Sequence, residues 1–201
     1  MAYFPFMIDL EKKRCVIAGA GKVAVRKAEQ MIEFGADVTV VAPDICVQMR
    51  TLFEGKKNQM CLIQRKITKE DIVSADVVIM ATNQPAVNEE MAAFCKVQRI
   101  LVNVVDVKKD CGFYFPAIIK EENVVISVST GGCSPLLASR IKKEIQQGLS
   151  KDYGSIARKM GQRRQKIIDM VEDPAERKRL LKEMLIEIME REEECLFHAL
   201  G

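Results

Sequence analysis

The stretch that decides the fold runs from residue 15 to residue 41 and reads CVIAGAGKVAVRKAEQMIEFGADVTVV. It opens with a short apolar run that ends in glycine, continues with apolar residues at helical spacing, and closes with a β-branched run. Short apolar runs of this kind are typical of strands that are covered on both faces of a parallel sheet. The stretch therefore predicts a strand, a helix and a second parallel strand, a unit that needs about 30 residues.

The same alternation continues to residue 105. Apolar runs predict further strands, and helical spacing of Val87, Met91 and Phe94 predicts a helix between the last two; these elements are expected at 61–63, 76–81, 86–97 and 100–105. Strands that alternate with helices imply a doubly wound parallel sheet. We therefore expect an α/β protein in which residues 1–112 form a Rossmann-type domain.

The rhythm changes after residue 112. Two apolar runs, 113–119 and 123–129, are joined by the charged turn 120–122 without a helix between them, which predicts an antiparallel pair. Two strands alone are marginally stable in water, so we expect the region 113–150 to be a small antiparallel dimerisation region that pairs with a second copy of the chain. The charged remainder, 151–201, is expected to be a helical C-terminal region.

Composition excludes several classes of protein. The net charge of +3 is too small to indicate nucleic-acid binding, and no apolar run is long enough to cross a membrane. The start of the chain does not resemble a signal peptide, and the seven cysteines are scattered, so we expect reduced thiols and a cytoplasmic location. Only one histidine, His198, is present, and the pattern predicts no metal site.

Gly19, Gly21 and Ala24 form the G-x-G-x-x-A fingerprint of dinucleotide-binding proteins. The first glycine permits the turn after the strand, the second lets the backbone approach a pyrophosphate, and the small third residue lets helix and strand pack closely. The helix would present its free N–H groups to the phosphates. The fingerprint follows a predicted strand and opens a predicted helix, as its function requires, so Gly19, Ala20 and Gly21 are predicted to bind a dinucleotide.

The end of the second strand departs from the usual pattern. The acidic residue that binds the adenosine ribose is replaced by Ala42 and Pro43, and the nearest carboxylate is Asp44. Asp44 either reaches the ribose from the loop or is a solvent-exposed turn residue. No arginine follows the strand before Arg50, which favours NAD over NADP.

Polar residues also follow the next two strands. Ala81, Thr82 and Asn83 end one strand, and Asn103 and Asp106 lie at the end of the other. Ligands bind at the carboxyl edge of open α/β sheets, so we expect these residues near a bound cofactor. Asp106 is either a general base or an aspartate that ends its strand in a turn.

A loop of small residues leads into a later helix. Ser134 and Pro135 are a strong helix-start signal, and the preceding residues are Ser129, Thr130, Gly131, Gly132 and Cys133. The loop is either a plain helix entry or a site where backbone N–H groups bind an anion.

Taken in order, these motifs resemble the precorrin-2 dehydrogenase and siroheme synthase family. The resemblance covers about residues 1–150 and rests on GKVAVRKA (21–28), VTVVAP (38–43), ATN (81–83), NVVD (103–106), FPA (115–117) and STGGCSP (129–135). It implies NAD-dependent dehydrogenation of precorrin-2 to sirohydrochlorin by an interlocked homodimer. The chain is expected to be the free-standing type, without a methyltransferase module.

The resemblance also implies roles for individual residues. Asp106 matches the family's essential aspartate, and Lys22, Val23, Pro43 and Asp44 match positions that line the NAD site. Precorrin-2 carries many carboxylates, so Asn103, Arg140, the glycine loop (Ser129, Thr130, Gly131, Gly132 and Ser134) and a basic cluster at 158–166 are candidates to bind it. Two alternatives stay open: a bifunctional enzyme that also acts as a ferrochelatase, and a non-catalytic NAD-sensing domain.

Overall fold

The computed structural model describes residues 4–149 and 152–199, the segment 192–199 by its backbone alone. The described chain divides into two compact units, one from Phe4 to Tyr114 and the other from Phe115 onward. The side chains of the acidic residues 192–194, of Cys195 and of His198 lie outside the described residues.

The first unit is built on a parallel sheet. Its five strands are β1 (Arg14–Ala18), β2 (Asp37–Val41), β3 (Met60–Ile63), β4 (Val77–Met80) and β5 (Leu101–Val104), in the spatial order β3-β2-β1-β4-β5. Every neighbouring pair is parallel. The predicted α/β fold is confirmed, and the strand order reverses between β1 and β4, where ligands bind in sheets of this type.

Helices connect the strands and cover both faces of the sheet. They are α1 (Lys22–Glu33), α2 (Val47–Gly55), α3 (Lys69–Ile72) and α4 (Pro85–Val97), followed by a 3-10 turn, Lys108–Asp110. Helix α1 buries Ala24, Ala28 and Met31, which confirms the helical spacing seen in the sequence. Helices α2 and α3 were not predicted, since each buries a single residue and shows little periodicity.

The core of this unit lies in the middle strands. All four residues of β4 are buried, and so are the last four of β1, because helices cover both faces there. Ile17, Ile79 and Val40 are fully inaccessible to solvent. A rigid core of this kind fixes the carboxyl ends of the strands, where the candidate site lies.

The second unit begins with an antiparallel hairpin of β6 (Ala117–Glu121) and β7 (Val124–Val128). The antiparallel pairing is confirmed, but the predicted bounds were wrong: the residues 113–116 precede the first strand, and the turn is at 122–123, not 120–122. The carbonyl group of Phe113 accepts a hydrogen bond from Asn103, which keeps this segment beside β5. Glu122 adopts a positive φ of 49° in the tight turn.

In the described residues of the second unit, the hairpin is followed by three helices: α5 (Pro135–Gly148), α6 (Tyr153–Met170) and α7 (Pro174–Ala199). Ser134 caps α5 as predicted, since its hydroxyl accepts a hydrogen bond from the Leu137 N–H at 3.2 Å. Helices α6 and α7 pack through a small apolar cluster around Ile156, Met184 and Ile188. Within the described parts of the chain, no helix combines the length and the apolar character that crossing a membrane requires.

Candidate dinucleotide-binding site

A cavity of about 330 Å³ opens at the carboxyl edge of the parallel sheet. It lies in the first unit, where the loops after β1, β2, β3 and β4 come together. Its walls are formed by residues 19–21, 41–44, 66–67, 81–84 and Val87. The structure thus brings together Gly19, Ala20, Gly21, Pro43, Asp44, Ala81, Thr82 and Asn83, all of which the sequence predicted for a cofactor site. Lys22 and Val23, predicted with them, lie in the first turn of α1 and are not among the lining residues.

Backbone hydrogen bonds tie these loops to one another. The N–H of Gly19 donates to the Val41 carbonyl at 2.9 Å, and the N–H of Ala81 donates to the Ala18 carbonyl at 2.8 Å. On the far side, the side-chain amide of Gln64 donates to the Pro43 carbonyl at 3.1 Å. Each of these loops is therefore held in place by a neighbouring segment.

Gly19 has a backbone that only glycine adopts without strain. Its φ is 105°, and a Cβ atom at this position would lie 2.8 Å from the carbonyl carbon of Ala81. The first glycine of the fingerprint therefore serves the turn and also the close approach of the β1 loop to the β4 loop.

Gly21 has a different reason to lack a side chain. Its φ of −83° is ordinary, and a Cβ atom here would meet nothing within 4 Å. Gly21 lines the cavity and is the N-cap of α1, whose first turn receives no side-chain cap from it. The space that a side chain would fill lies at a helix N-terminus, which is suited to a phosphate group. The residues present therefore fit the pyrophosphate of a dinucleotide.

Two charged side chains lie near the β2 end of the cavity. Asp44 lines it, as the resemblance implied, and Lys66 lines it from the loop after β3. Sequence reasoning missed Lys66 and Ile67, although the predicted strand at 61–63 would have placed its following loop at the same edge of the sheet. The neighbouring Arg65 is held by Asp71 through hydrogen bonds of 2.7 and 2.6 Å and is not a lining residue.

The β4 end of the cavity is the loop 81–84. Its conformation depends on Asn88 of α4, a residue that sequence reasoning did not single out. The Thr82 hydroxyl donates to Asn88 Oδ1 at 2.6 Å, and Asn88 Nδ2 donates to the Thr82 carbonyl at 3.1 Å. The signal in the sequence that could have found Asn88 is a polar residue beside the apolar face of the predicted helix 86–97.

Asp106 lies in a turn immediately beyond β5. Val107 N–H donates to the Val104 carbonyl at 3.3 Å, which closes a turn with Asp106 as its third residue at a φ of 62°. Met80 pairs with Val104 in the sheet, so Thr82 and Asp106 each lie two residues beyond paired positions of neighbouring strands. Asp106 is exposed at this edge and is not among the residues that line the cavity.

Asn103 and Cys111 hold the segment around Asp106. Asn103 is buried, and its Nδ2 donates to the Phe113 carbonyl at 2.9 Å. The Cys111 thiol accepts a hydrogen bond from the Val104 N–H at 3.2 Å, and burial raises its pKa. The side-chain amide of Asn103 is thus engaged within the protein; its predicted contact with substrate stays a prediction.

The glycine loop of the second unit is closed by its own polar groups. Gly131 and Gly132 both have positive φ, at 62° and 78°. Thr130 Oγ1 accepts a hydrogen bond from the Ser134 N–H at 3.1 Å, and Ser129 Oγ accepts one from the Gly131 N–H at 3.2 Å. These local hydrogen bonds are what a plain helix entry requires.

The basic residues proposed to bind carboxylates are exposed except for Lys159, which is half-buried, and Arg158 and Arg140 contact acidic side chains. Arg158 contacts Glu122 at 2.9 Å, and Arg140 contacts Glu144 at 2.9 Å. Among the side chains described, no three histidine, cysteine or acidic groups come together as ligands for a metal ion.

Comparison with known protein families gives two adjoining matches. Residues 6–117 match the family described as "Putative NAD(P)-binding", and residues 126–147 match the central segment of sirohaem biosynthesis proteins. The first match covers the parallel sheet and the cavity. The second covers the end of β7, the glycine loop and most of α5.

Curated relatives carry the name siroheme synthase. That of Nitrosospira multiformis is 34% identical over 187 residues, which cover 92% of this chain and 40% of the relative. That of Saccharophagus degradans is 32% identical, again over 92% of this chain and 40% of the relative. The chain thus spans about two fifths of the length of these relatives.

A solved structure named SirC, precorrin-2 dehydrogenase, has a similar fold over nearly the whole chain. The TM-score is 0.72 at 25% sequence identity, and the match covers 96% of this chain and 100% of the other. These comparisons confirm the family that the ordered motifs indicated.

Proposed function

Because the chain belongs to the family described as putative NAD(P)-binding and also matches the central segment of sirohaem biosynthesis proteins, we propose that it is a dehydrogenase that oxidises precorrin-2 to sirohydrochlorin with NAD. Asp106 provides the main support for this proposal through its position. Its turn follows β5 at the edge where the neighbouring β4 loop forms a wall of the nucleotide cavity. A carboxylate beside a nicotinamide cofactor is able to accept the proton that the substrate loses when it gives up a hydride.

Different residues of the chain would bind different parts of the cofactor. The N-terminus of α1 and Gly21 would bind the pyrophosphate, Pro43 and Asp44 the adenosine ribose, and the loop 81–83 the other half of the cofactor. A nicotinamide bound there would supply the acceptor for the hydride of the substrate. Asp106 would accept the proton, since its exposed carboxylate lies at the same edge of the sheet. The substrate contacts predicted for Asn103 and for the loop 129–134 stay predictions.

We assign NAD and not NADP because of Asp44. A carboxylate in the cavity accepts hydrogen bonds from ribose hydroxyls and repels a 2′-phosphate. Lys66 lies in the same cavity and would attract that phosphate. We therefore expect the wild-type chain to bind NAD more tightly than NADP. The variant Asp44→Asn should have a smaller difference between the two affinities, and Lys66→Gln should have a larger one. Tighter binding of NADP by the wild type would contradict the assignment.

The proposal extends to assembly and location. The hairpin of β6 and β7 is a two-stranded sheet, and we propose that it joins the same region of a second chain in a homodimer. The six cysteines whose side chains are described are free thiols, which supports the expected cytoplasmic location.

The deciding experiment mixes the purified chain, precorrin-2 and NAD anaerobically and follows both products. We expect one NADH for each sirohydrochlorin formed. A chain that binds NAD but forms no NADH with precorrin-2 would be a sensor of the cofactor, not a dehydrogenase. Adding ferrous iron to the product mixture tests the ferrochelatase alternative.

A further inference from the structure

The loop 81–84 is held by a side chain that does not itself line the cavity. Asn88 lies in the second turn of α4 and is 7% exposed. Its amide makes both hydrogen bonds to Thr82, as donor to the carbonyl group and as acceptor from the hydroxyl group. The Thr82 hydroxyl in turn accepts a hydrogen bond from the Gln84 N–H at 3.2 Å. Asn88 and Thr82 thus close a ring of hydrogen bonds around the loop.

Because Asn88 is buried, breaking its hydrogen bonds to Thr82 costs free energy. A buried amide that loses a partner stays desolvated without compensation, so removing either side chain leaves unsatisfied polar atoms. On the opposite side, the carbonyl group of Ala81 lies against Gly19. The loop is therefore held by the fingerprint glycine on one side and by Asn88 on the other, and it has little freedom to move away from a ligand.

The sheet order indicates which half of a dinucleotide this loop meets. In sheets of this type the adenosine ribose binds at the end of the second strand, which here is β2 with Pro43 and Asp44. Strand β4 lies on the other side of β1. A dinucleotide whose pyrophosphate lies at Gly21 therefore extends its nicotinamide half toward the loop 81–84.

We propose that Asn88 is a positioning residue for the nicotinamide half of the cofactor, acting through Thr82. The inference rests on the proposed function only in requiring that the chain binds a nicotinamide dinucleotide; it does not depend on precorrin-2 or on Asp106. Asn88 does not contact the cofactor, and it determines affinity by holding the loop in its binding conformation.

The test compares a whole dinucleotide with its adenosine half. Dissociation constants for NAD and for ADP are measured by calorimetric titration of the full chain and its variants. Loss of a buried hydrogen-bonded pair should weaken NAD binding by Asn88→Ala about tenfold and leave ADP binding within about twofold. Thr82→Val, which keeps the shape and removes the hydroxyl, should behave in the same way.

Cys95→Ala is the matched control for damage to the helix. Cys95 lies on the same helix, is fully buried and belongs to the apolar core. Its truncation should lower the melting temperature and leave both dissociation constants unchanged. If Asn88→Ala and Thr82→Val keep full affinity for NAD, or lose NAD and ADP affinity equally, the positioning role is wrong. A wild-type chain that binds neither NAD nor NADP would instead overturn the proposed function and this inference together.

Discussion

Gly19 lies against the carbonyl group of Ala81, so closely that the two backbones leave no room for a side chain between them. The contact joins the loop after β1 to the loop after β4, which are distant in sequence and adjacent in the sheet. The first glycine of the fingerprint is therefore needed for the packing of these two loops, while Gly21 faces open space, where we propose that the ligand binds.

Gly19→Ala should destabilise the protein strongly. The left-handed φ of 105° and the overlap with Ala81 both oppose a methyl group, and together they should cost about 2–4 kcal/mol of unfolding free energy. Urea denaturation followed by circular dichroism measures the change. Gly55→Ala is the control, since its Cβ would meet nothing within 4 Å, and equal stability of the two variants would contradict the argument.

Gly21→Asp should abolish NAD binding in a folded protein. The new side chain has room in the structure, but its charge would oppose the pyrophosphate at the N-terminus of α1. Calorimetric titration with NAD measures the loss, and an unchanged melting temperature shows that the fold is kept. Retained affinity would remove the pyrophosphate from this loop.

Asp106→Asn should lower the kcat for precorrin-2 by about 10²–10⁴-fold and leave NAD affinity nearly unchanged. Asparagine adopts the positive φ of 62° readily, so the turn is preserved while the basic oxygen is lost. Asp106→Ala is a less clean variant, because alanine is strained at this φ. An Asn variant with wild-type turnover would mean that Asp106 only forms the turn.

The Arg65–Asp71 pair should make stability depend on pH in acid. Hydrogen bonds from the Arg65 guanidinium hold the pKa of the Asp71 carboxyl below its usual value of 3.8. Because the pKa is lower in the folded state, the ionised carboxylate stabilises the fold at pH values above the unfolded-state pKa. This stabilisation is lost as pH falls below about 4. The destabilisation caused by Asp71→Asn, measured by urea denaturation, should therefore shrink between pH 6 and pH 3; a difference independent of pH would contradict this.

The full chain should have the mass of two copies in light scattering at micromolar concentration. Leu136 is 85% exposed at the start of α5, in the region predicted to pair with a second chain. Leu136→Glu should shift the mass toward the monomer. Val97→Glu is the control, since Val97 is 78% exposed at the end of α4, and its variant should remain dimeric. A wild-type monomer would contradict the predicted dimer.

The sequence by itself determined the elements that depend on local pattern. The β1–α1–β2 unit follows from apolar periodicity and from two glycines at a fixed spacing, and the start of α5 follows from Ser134 and Pro135. These signals lie within a few residues of the structure they specify. The family was recognisable for the same reason, because its motifs are short and occur in a fixed order.

Only the tertiary structure decided how distant segments meet. Lys66 enters the cavity because β3 pairs with β2, and Asn88 controls the loop after β4 because α4 packs back against it. The hairpin strand begins at Ala117, not at 113, because Asn103 holds the Phe113 carbonyl beside β5. Each of these contacts depends on strand register and side-chain packing between segments far apart in the chain, which local propensity does not encode.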